Sequence, residues 1–169
     1  MLLLTLCATL LTALSAQLRT HVPWTQVPVT GQVFVVLVCG VMLGGLYGTL
    51  SQILYIGLAI VGVPWLAMTA AGLAFFNGLT SGYLYGFVLA AAFLGVMTSR
   101  FARARTLDGQ IYLMLAAVGI IYLCGATGIM FVTGCSPFRA VAIGIVPFVP
   151  IDLLKVVAAA GVTHRFLRQ

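Results

Sequence analysis

Long apolar runs recur from one end of this sequence to the other, and almost no charge interrupts them. From Gly109 to Val132 no charged side chain occurs, and the only acids in the whole chain are Asp108 and Asp152. With 63% hydrophobic and 6% charged residues and a mean hydropathy of +1.21, the composition excludes a soluble globular domain, where about a quarter of residues would be charged. In lipid every backbone polar group must be satisfied within the chain, so such runs form helices. The sequence predicts an all-α membrane protein: residues 1–169 as a single integral membrane domain of about six transmembrane helices, at about 20 residues per span. The net charge of +6 does not argue for nucleic acid. Arg100, Arg103 and Arg105 share one short loop and Arg165 and Arg168 end the chain, the pattern of cytoplasmic loops in a multi-pass protein of the cell membrane. Cys7, Cys39, Cys124 and Cys135 form no CxxC, so they read as small hydrophobes, with no metal site and no redox motif.

The first segment, Leu2 to Leu18, has the leucines of a secretory signal, and Ala13-Leu14-Ser15 resembles a cleavage site. It lacks a basic leader and is read as a mature helix. Ala8, Thr12 and Ala16 place small side chains four apart, a spacing that admits a close partner helix, from another subunit or from this bundle. Residues 19–32 hold Pro23 and Pro28 and form a non-helical connection in which Trp24 suits an interface or a folded-in lid. Apolar runs over Gln32–Tyr47 and Gly48–Val61 meet at a cluster of glycines, which marks a tight turn. Gln32, Gln52 and Tyr55 stand at membrane depth as helix–helix partners or as cavity lining. The stretch 62–80 is apolar but broken; its Asn77 is either a left-handed turn residue or a polar group of a site. Helices follow over Ser81–Ser99 and Gly109–Val132, the latter with Asp108 placed to cap it, and Phe138–Val146 leads from a break at 133–137 into the last segment.

That last segment opens Pro147-Phe148-Val149-Pro150-Ile151-Asp152-Leu153-Leu154-Lys155 and carries the only lysine. Asp152 and Lys155 lie three apart, on one face of a helix. An ionisable side chain deep in a membrane helix costs roughly 2.5–3.5 kcal/mol on insertion scales, so it faces protein or a wet cavity. The two are either a self-neutralised structural pair or a polar clamp for a solute. With the basic loop in the cytoplasm, six helices put both termini there as well. The connections 19–31, 62–80 and 133–147, rich in Pro, Gly, Trp and polar side chains, then share the outer side with Asp152 and Lys155. From Ile151 to Phe166 the helix is about 24 Å long against a ~30 Å hydrocarbon core, so it starts below the outer surface and leaves an outward-facing pocket above it.

Pro28-Val29-Thr30-Gly31-Gln32, the glycine turn Gly44 to Gly48, Thr80-Ser81-Gly82-Tyr83-Leu84-Tyr85-Gly86-Phe87 and the Pro147–Lys155 stretch resemble the BioY biotin-uptake proteins. These are the substrate-binding S components of energy-coupling factor (ECF) transporters. Where that family reads Gly-Pro-Thr-Gly-Gly-Tyr and Pro-Gly-Asp, this chain has Gly78-Leu79-Thr80-Ser81-Gly82-Tyr83 and Pro150-Ile151-Asp152. The resemblance implies an ECF S-component-like bundle, biotin as ligand, and transport with a membrane T component and two ATPase subunits. It also implies that Asp152, Lys155 and Asn77 contact the ligand. The ureido ring of biotin offers two N–H donors and one C=O acceptor, which a carboxylate, an ammonium and an amide satisfy. Trp24, Tyr55, Phe76 and Tyr83 are candidate walls, Gln32 a further lining group, and Arg19, His21 and Arg139 candidate partners for the ligand carboxylate. No cofactor is implied, and contact with membrane lipid follows from the composition; self-association is left open. The competing readings are another small vitamin on the same fold and a purely structural helical bundle. A hydrolase would need Ser81 beside His164, which this topology sends to opposite faces, and no phosphate-binding glycine motif provides for ATP hydrolysis.

Overall fold

The computed structural model describes residues 1–20, 25, 27–67, 72 and 77–167. Their helices are α1 (Leu2–Gln17), α2 (Gln32–Val61), α3 (Ser81–Arg100), α4 (Leu107–Thr133), α5 (Pro137–Gly144) and α6 (Val149–Leu167), with a short 3-10 turn over Ala102–Arg105. Two short strands, β1 (Arg19–Thr20) and β2 (Val29–Thr30), pair antiparallel and pinch together the base of the connection between α1 and α2. By length and apolarity α3 and α4 each suffice to cross a membrane, α5 with α6, bent by 57°, makes a broken span, and the 30 residues of the apolar α2 are shared between two arms.

The predicted turn between the second and third apolar runs is present inside α2. Gly44 has φ 76° and ψ 177°, outside the helical region and with a positive φ that favours glycine. There the chain folds back on itself, so Gln32 and Tyr55, at the two ends of α2, meet through a hydrogen bond of 3.0 Å. The fold-back fits because Gly95 of α3 meets the backbone of Gly44 and Gly45, leaving no room for a side chain there. Counting both arms of α2, the chain passes through the bundle six times. The Gly44 bend, the Arg100–Arg105 loop and the end of α6 lie together; His164 Nδ1 stands 3.2 Å from the Arg105 carbonyl. The β1–β2 pair, the 62–67 connection and α5 gather at the other end, where Gln17 Nε2 donates to the Trp65 carbonyl at 3.0 Å.

Three details differ from the sequence reading. Thr106, not Asp108, caps α4: its hydroxyl accepts from the Gly109 N–H at 3.2 Å, while Asp108 sits in the first turn. Residues 137–144 form a separate helix, α5, started by Ser136 as N-cap and Pro137 in its first turn. And α6 begins at Val149, two residues earlier than expected, which makes it about 28 Å long at 1.5 Å per residue. The core between the helices is filled by fully buried Leu37, Leu94, Met114, Ile121, Ile129 and Val156. The outer face of α1 exposes Leu3, Leu6, Leu10 and Leu14, the side chains expected against lipid.

Candidate solute-binding site

Pro150 enters the first turn of α6, where its missing N–H is no loss, and Asp152 follows in the same turn near the positive end of the helix dipole. Asp152 is buried, at 3% exposure, yet both of its carboxylate oxygens are engaged. Lys155, one turn on, donates to Oδ1 at 2.7 Å; Tyr122 from α4 donates to Oδ2 at 2.8 Å. Lys155 Nζ also donates to the Thr30 carbonyl at 2.7 Å, which ties α6 to the end of β2. The Thr30 hydroxyl in turn donates to Gln32 Oε1 at 3.2 Å, and Gln32 Nε2 donates to the Tyr55 hydroxyl. Tyr55 Oη donates to the Trp65 carbonyl at 3.4 Å, and Trp65 Nε1 returns a bond to the Tyr55 carbonyl at 3.2 Å. A continuous polar chain thus runs from α4 through α6, β2 and α2 to the 62–67 connection.

These groups border a narrow, partly open cavity of about 40 Å³. Asp152, Lys155, Gln32, Thr30 and Thr80 are its polar lining; Tyr83, Phe87, Ile121, Tyr122 and Phe148 are its larger walls. A small, mostly apolar chamber with a few converging polar groups is the usual form of a small-molecule site. Tyr83 is held in place from three directions. Its hydroxyl donates to the Gly144 carbonyl at 2.5 Å, its ring meets Phe148 at 6.3 Å between centroids, and Gly125 leaves room for the ring where any Cβ would overlap it.

Burying an ion pair is favourable only when the remaining donors and acceptors are matched. Here the matching is partial. An ammonium has three N–H donors and Lys155 uses two; a carboxylate has about four acceptor sites and each Asp152 oxygen has one partner among the described residues. Among the described residues the pair retains the capacity to give one hydrogen bond and accept two.

The structure brings Asp152, Lys155, Gln32 and Tyr83 together around one cavity. Tyr55 is fully buried behind Gln32 and orients it without lining the cavity. Asn77 is exposed and is not among the cavity's lining residues. Trp24, His21 and Phe76 lie outside the described residues. Of the cations considered for the ligand carboxylate, Arg19 donates to the Ala67 carbonyl and Arg139 is exposed on α5; neither lines the cavity.

The stripe Ala8, Thr12 and Ala16 requires a correction. All three are buried, Thr12 and Ala16 completely, and they face α2 of the same chain. Their small size lets α1 approach α2 closely, so the stripe is occupied by intramolecular packing and offers no face to another subunit. Sequence reasoning also passed over Tyr122, Thr30, Phe87 and Phe148. None of these carried a signal that singled it out; the contact of Tyr122 with Asp152, 30 residues away, comes from the packing of α4 on α6. Among the described residues no group of three His, Cys, Asp or Glu side chains is placed to hold a metal ion.

The whole chain, residues 1–169, matches the model of the BioY family. A Methanothermobacter thermautotrophicus protein named "Probable biotin transporter BioY" is 39% identical over 74% of this chain and 84% of its own length. The Thermotoga maritima "Biotin transporter BioY" is 35% identical over 85% of this chain and 83% of its own. A crystal structure of the S component for biotin from an ECF-type ABC transporter superposes with a TM-score of 0.90, covering 99% of this chain and 90% of that one, at 22% identity.

Proposed function

This chain belongs to the BioY family, and we propose that it is the biotin-binding S component of an ECF-type transporter, taking biotin up across the cell membrane. The observation that carries the reading is the Asp152–Lys155 pair on the wall of the cavity, with one donor and two acceptor positions to spare. That remainder is complementary to a ureido ring, which has one C=O and two N–H groups. Tyr83, Phe87 and Phe148 supply the apolar walls for the bicyclic body and its chain. A purely structural pair would be expected in close-packed surroundings, with no chamber beside it.

In this reading Lys155 donates to the ureido oxygen and Asp152 accepts from the ureido nitrogens. Gln32 and Tyr83 shape the chamber, and Tyr55 fixes Gln32 from behind. The end that holds the Arg100–Arg105 loop faces the cytoplasm with both termini, by the excess of basic residues there, and the mouth of the cavity faces outward. Energisation comes from a membrane T component and two ATPase subunits, and lipid covers the outer leucines of α1. Calorimetry on the purified chain in lipid nanodiscs tests the reading, with biotin beside thiamine and riboflavin. Saturable binding of biotin alone is the expected result. Binding of another vitamin in its place would overturn it.

A further inference from the structure

We infer that Tyr122 is a positioning residue of this site: it holds the Asp152 carboxylate in the orientation in which the ligand's N–H groups meet it. The inference rests on the biotin reading above.

Asp152 stands in the first turn of α6, and the only hydrogen-bonding partner its own helix gives to its carboxylate is Lys155, which takes Oδ1. The terminal torsion of an aspartate is broad, so a carboxylate held at one oxygen still rotates about its last bond. The second point of attachment comes from another helix. Tyr122 of α4 reaches Oδ2 at 2.8 Å, and holding both oxygens from two helices fixes the plane of the group. Binding energy is gained when a polar group is already aligned before the ligand arrives. The phenol suits this role, since it donates one hydrogen bond and brings no charge into the bundle.

Position adds a second argument. Tyr122 and Asp152 border the cavity on one side and, on the other, a shallow groove between α4 and α6 lined by Leu115, Val118, Gly119 and Leu153. Leu115 and Leu153 are exposed on the outside of the bundle. The Tyr122 ring and Asp152 therefore share the wall between the cavity and a surface that faces lipid, where an unsatisfied charge is costly and the Tyr122 hydroxyl supplies a partner. Tyr122→Phe keeps that wall and deletes only the hydroxyl, which separates positioning from packing.

The test is a double-mutant cycle on biotin affinity in nanodiscs, with wild type, Tyr122→Phe, Asp152→Asn and the double variant, and with thermal unfolding of each. Tyr122→Phe is expected to raise the Kd roughly 3- to 10-fold, the range for one net hydrogen bond. In the Asp152→Asn background the same change is expected to add nothing, because the group it positions is gone. An equal loss in both backgrounds would assign Tyr122 to general packing and overturn the inference. So would wild-type affinity in Tyr122→Phe, or a Phe variant that no longer folds. If wild-type protein fails to bind biotin at all, the biotin reading falls first and this inference with it.

Discussion

Two buried polar regions of this bundle look alike in the sequence and differ in kind. One is the seam between α1 and α2; the other is the cavity beside Asp152. In the seam, Thr5, Thr9, Thr12 and Ser15 donate to carbonyls one turn earlier on their own helix, at 2.8–3.1 Å. Such a hydroxyl is satisfied locally and behaves toward its neighbours as a small, nearly apolar side chain, although Thr9 also reaches the Ser51 carbonyl across the seam at 3.0 Å. At the cavity the bonds run between elements far apart in sequence, from α4 and α6 to β2 and α2, and they leave donors and acceptors over. The seam's polarity serves approach of two helices; the cavity's polarity is available to a solute. In this bundle the binding site is marked by non-local, incomplete bonds that border a cavity; Gln52 in the seam has such bonds too, but it does not line that cavity.

The largest expected effect concerns which way the two regions face. In a background without the native cysteines, a single cysteine at Arg103 or at Ser136 is exposed to an impermeant thiol reagent on intact cells. Ser136, exposed at the start of α5 on the cavity's side, is expected to label fully and Arg103 not at all. Labelling at 103 from outside would invert the orientation of the cavity.

Next comes the charge itself. Asp152→Asn preserves shape and replaces one acceptor oxygen by a donor, at an expected loss of about 1.5–3 kcal/mol in biotin binding, a 10- to 150-fold rise in Kd. The variant also leaves Lys155 with an uncharged neighbour, so thermal stability is measured in parallel. Asp152→Asn with Lys155→Met removes both charges and is expected to be stable yet to bind poorly. Wild-type affinity in a folded double variant would reduce the pair to a structural one and erase the contrast with the seam.

Much of this was legible in the sequence, because lipid leaves few options for long uncharged runs. The six passes, the glycine turn and the two ends of the bundle all follow from apolar length and the placement of Pro, Gly and Arg. Asp152 and Lys155 were legible for the same reason: charge is rare enough here to be conspicuous. Tyr122 was not, since a phenol on an apolar helix looks the same whether its hydroxyl faces lipid headgroups or a carboxylate 30 residues away. Nor was the direction of α1. A four-residue repeat of small side chains specifies close approach to some helix, and the identity of that helix is settled only when α2 folds back at Gly44 and presents Ser51 and Gln52.

That placement makes a smaller prediction on the seam. Thr12 is fully buried, so Thr12→Trp overfills the α1–α2 contact and is expected to cost about 1–3 kcal/mol or more in stability. Biotin binding and uptake then fall together as folded protein is lost. Retained binding with selective loss of uptake, measured on the same membranes, would instead return the stripe to an intersubunit role.

The smallest effect carries the opposite sign. Gln52 is fully buried in the seam, and its Nε2 donates to Thr12 Oγ1 at 3.3 Å and to Ser51 Oγ at 3.1 Å. Its Oε1 finds no donor among the described residues. An unmatched buried acceptor costs about 1–3 kcal/mol. Deleting the amide strands nothing, because the two hydroxyls it meets already donate to the Ala8 and Gly48 carbonyls. Gln52→Leu is therefore expected to leave biotin affinity unchanged and to raise stability by up to about 1 kcal/mol, read as a small rise in melting temperature. Lys155→Met alone is expected to do the reverse, lowering both stability and affinity, since Asp152 would stay buried with Tyr122 as its one remaining partner among the described residues. If Gln52→Leu instead weakens biotin binding while the fold holds, the seam and the cavity are coupled, and the α1–α2 contact belongs to the working part of the site.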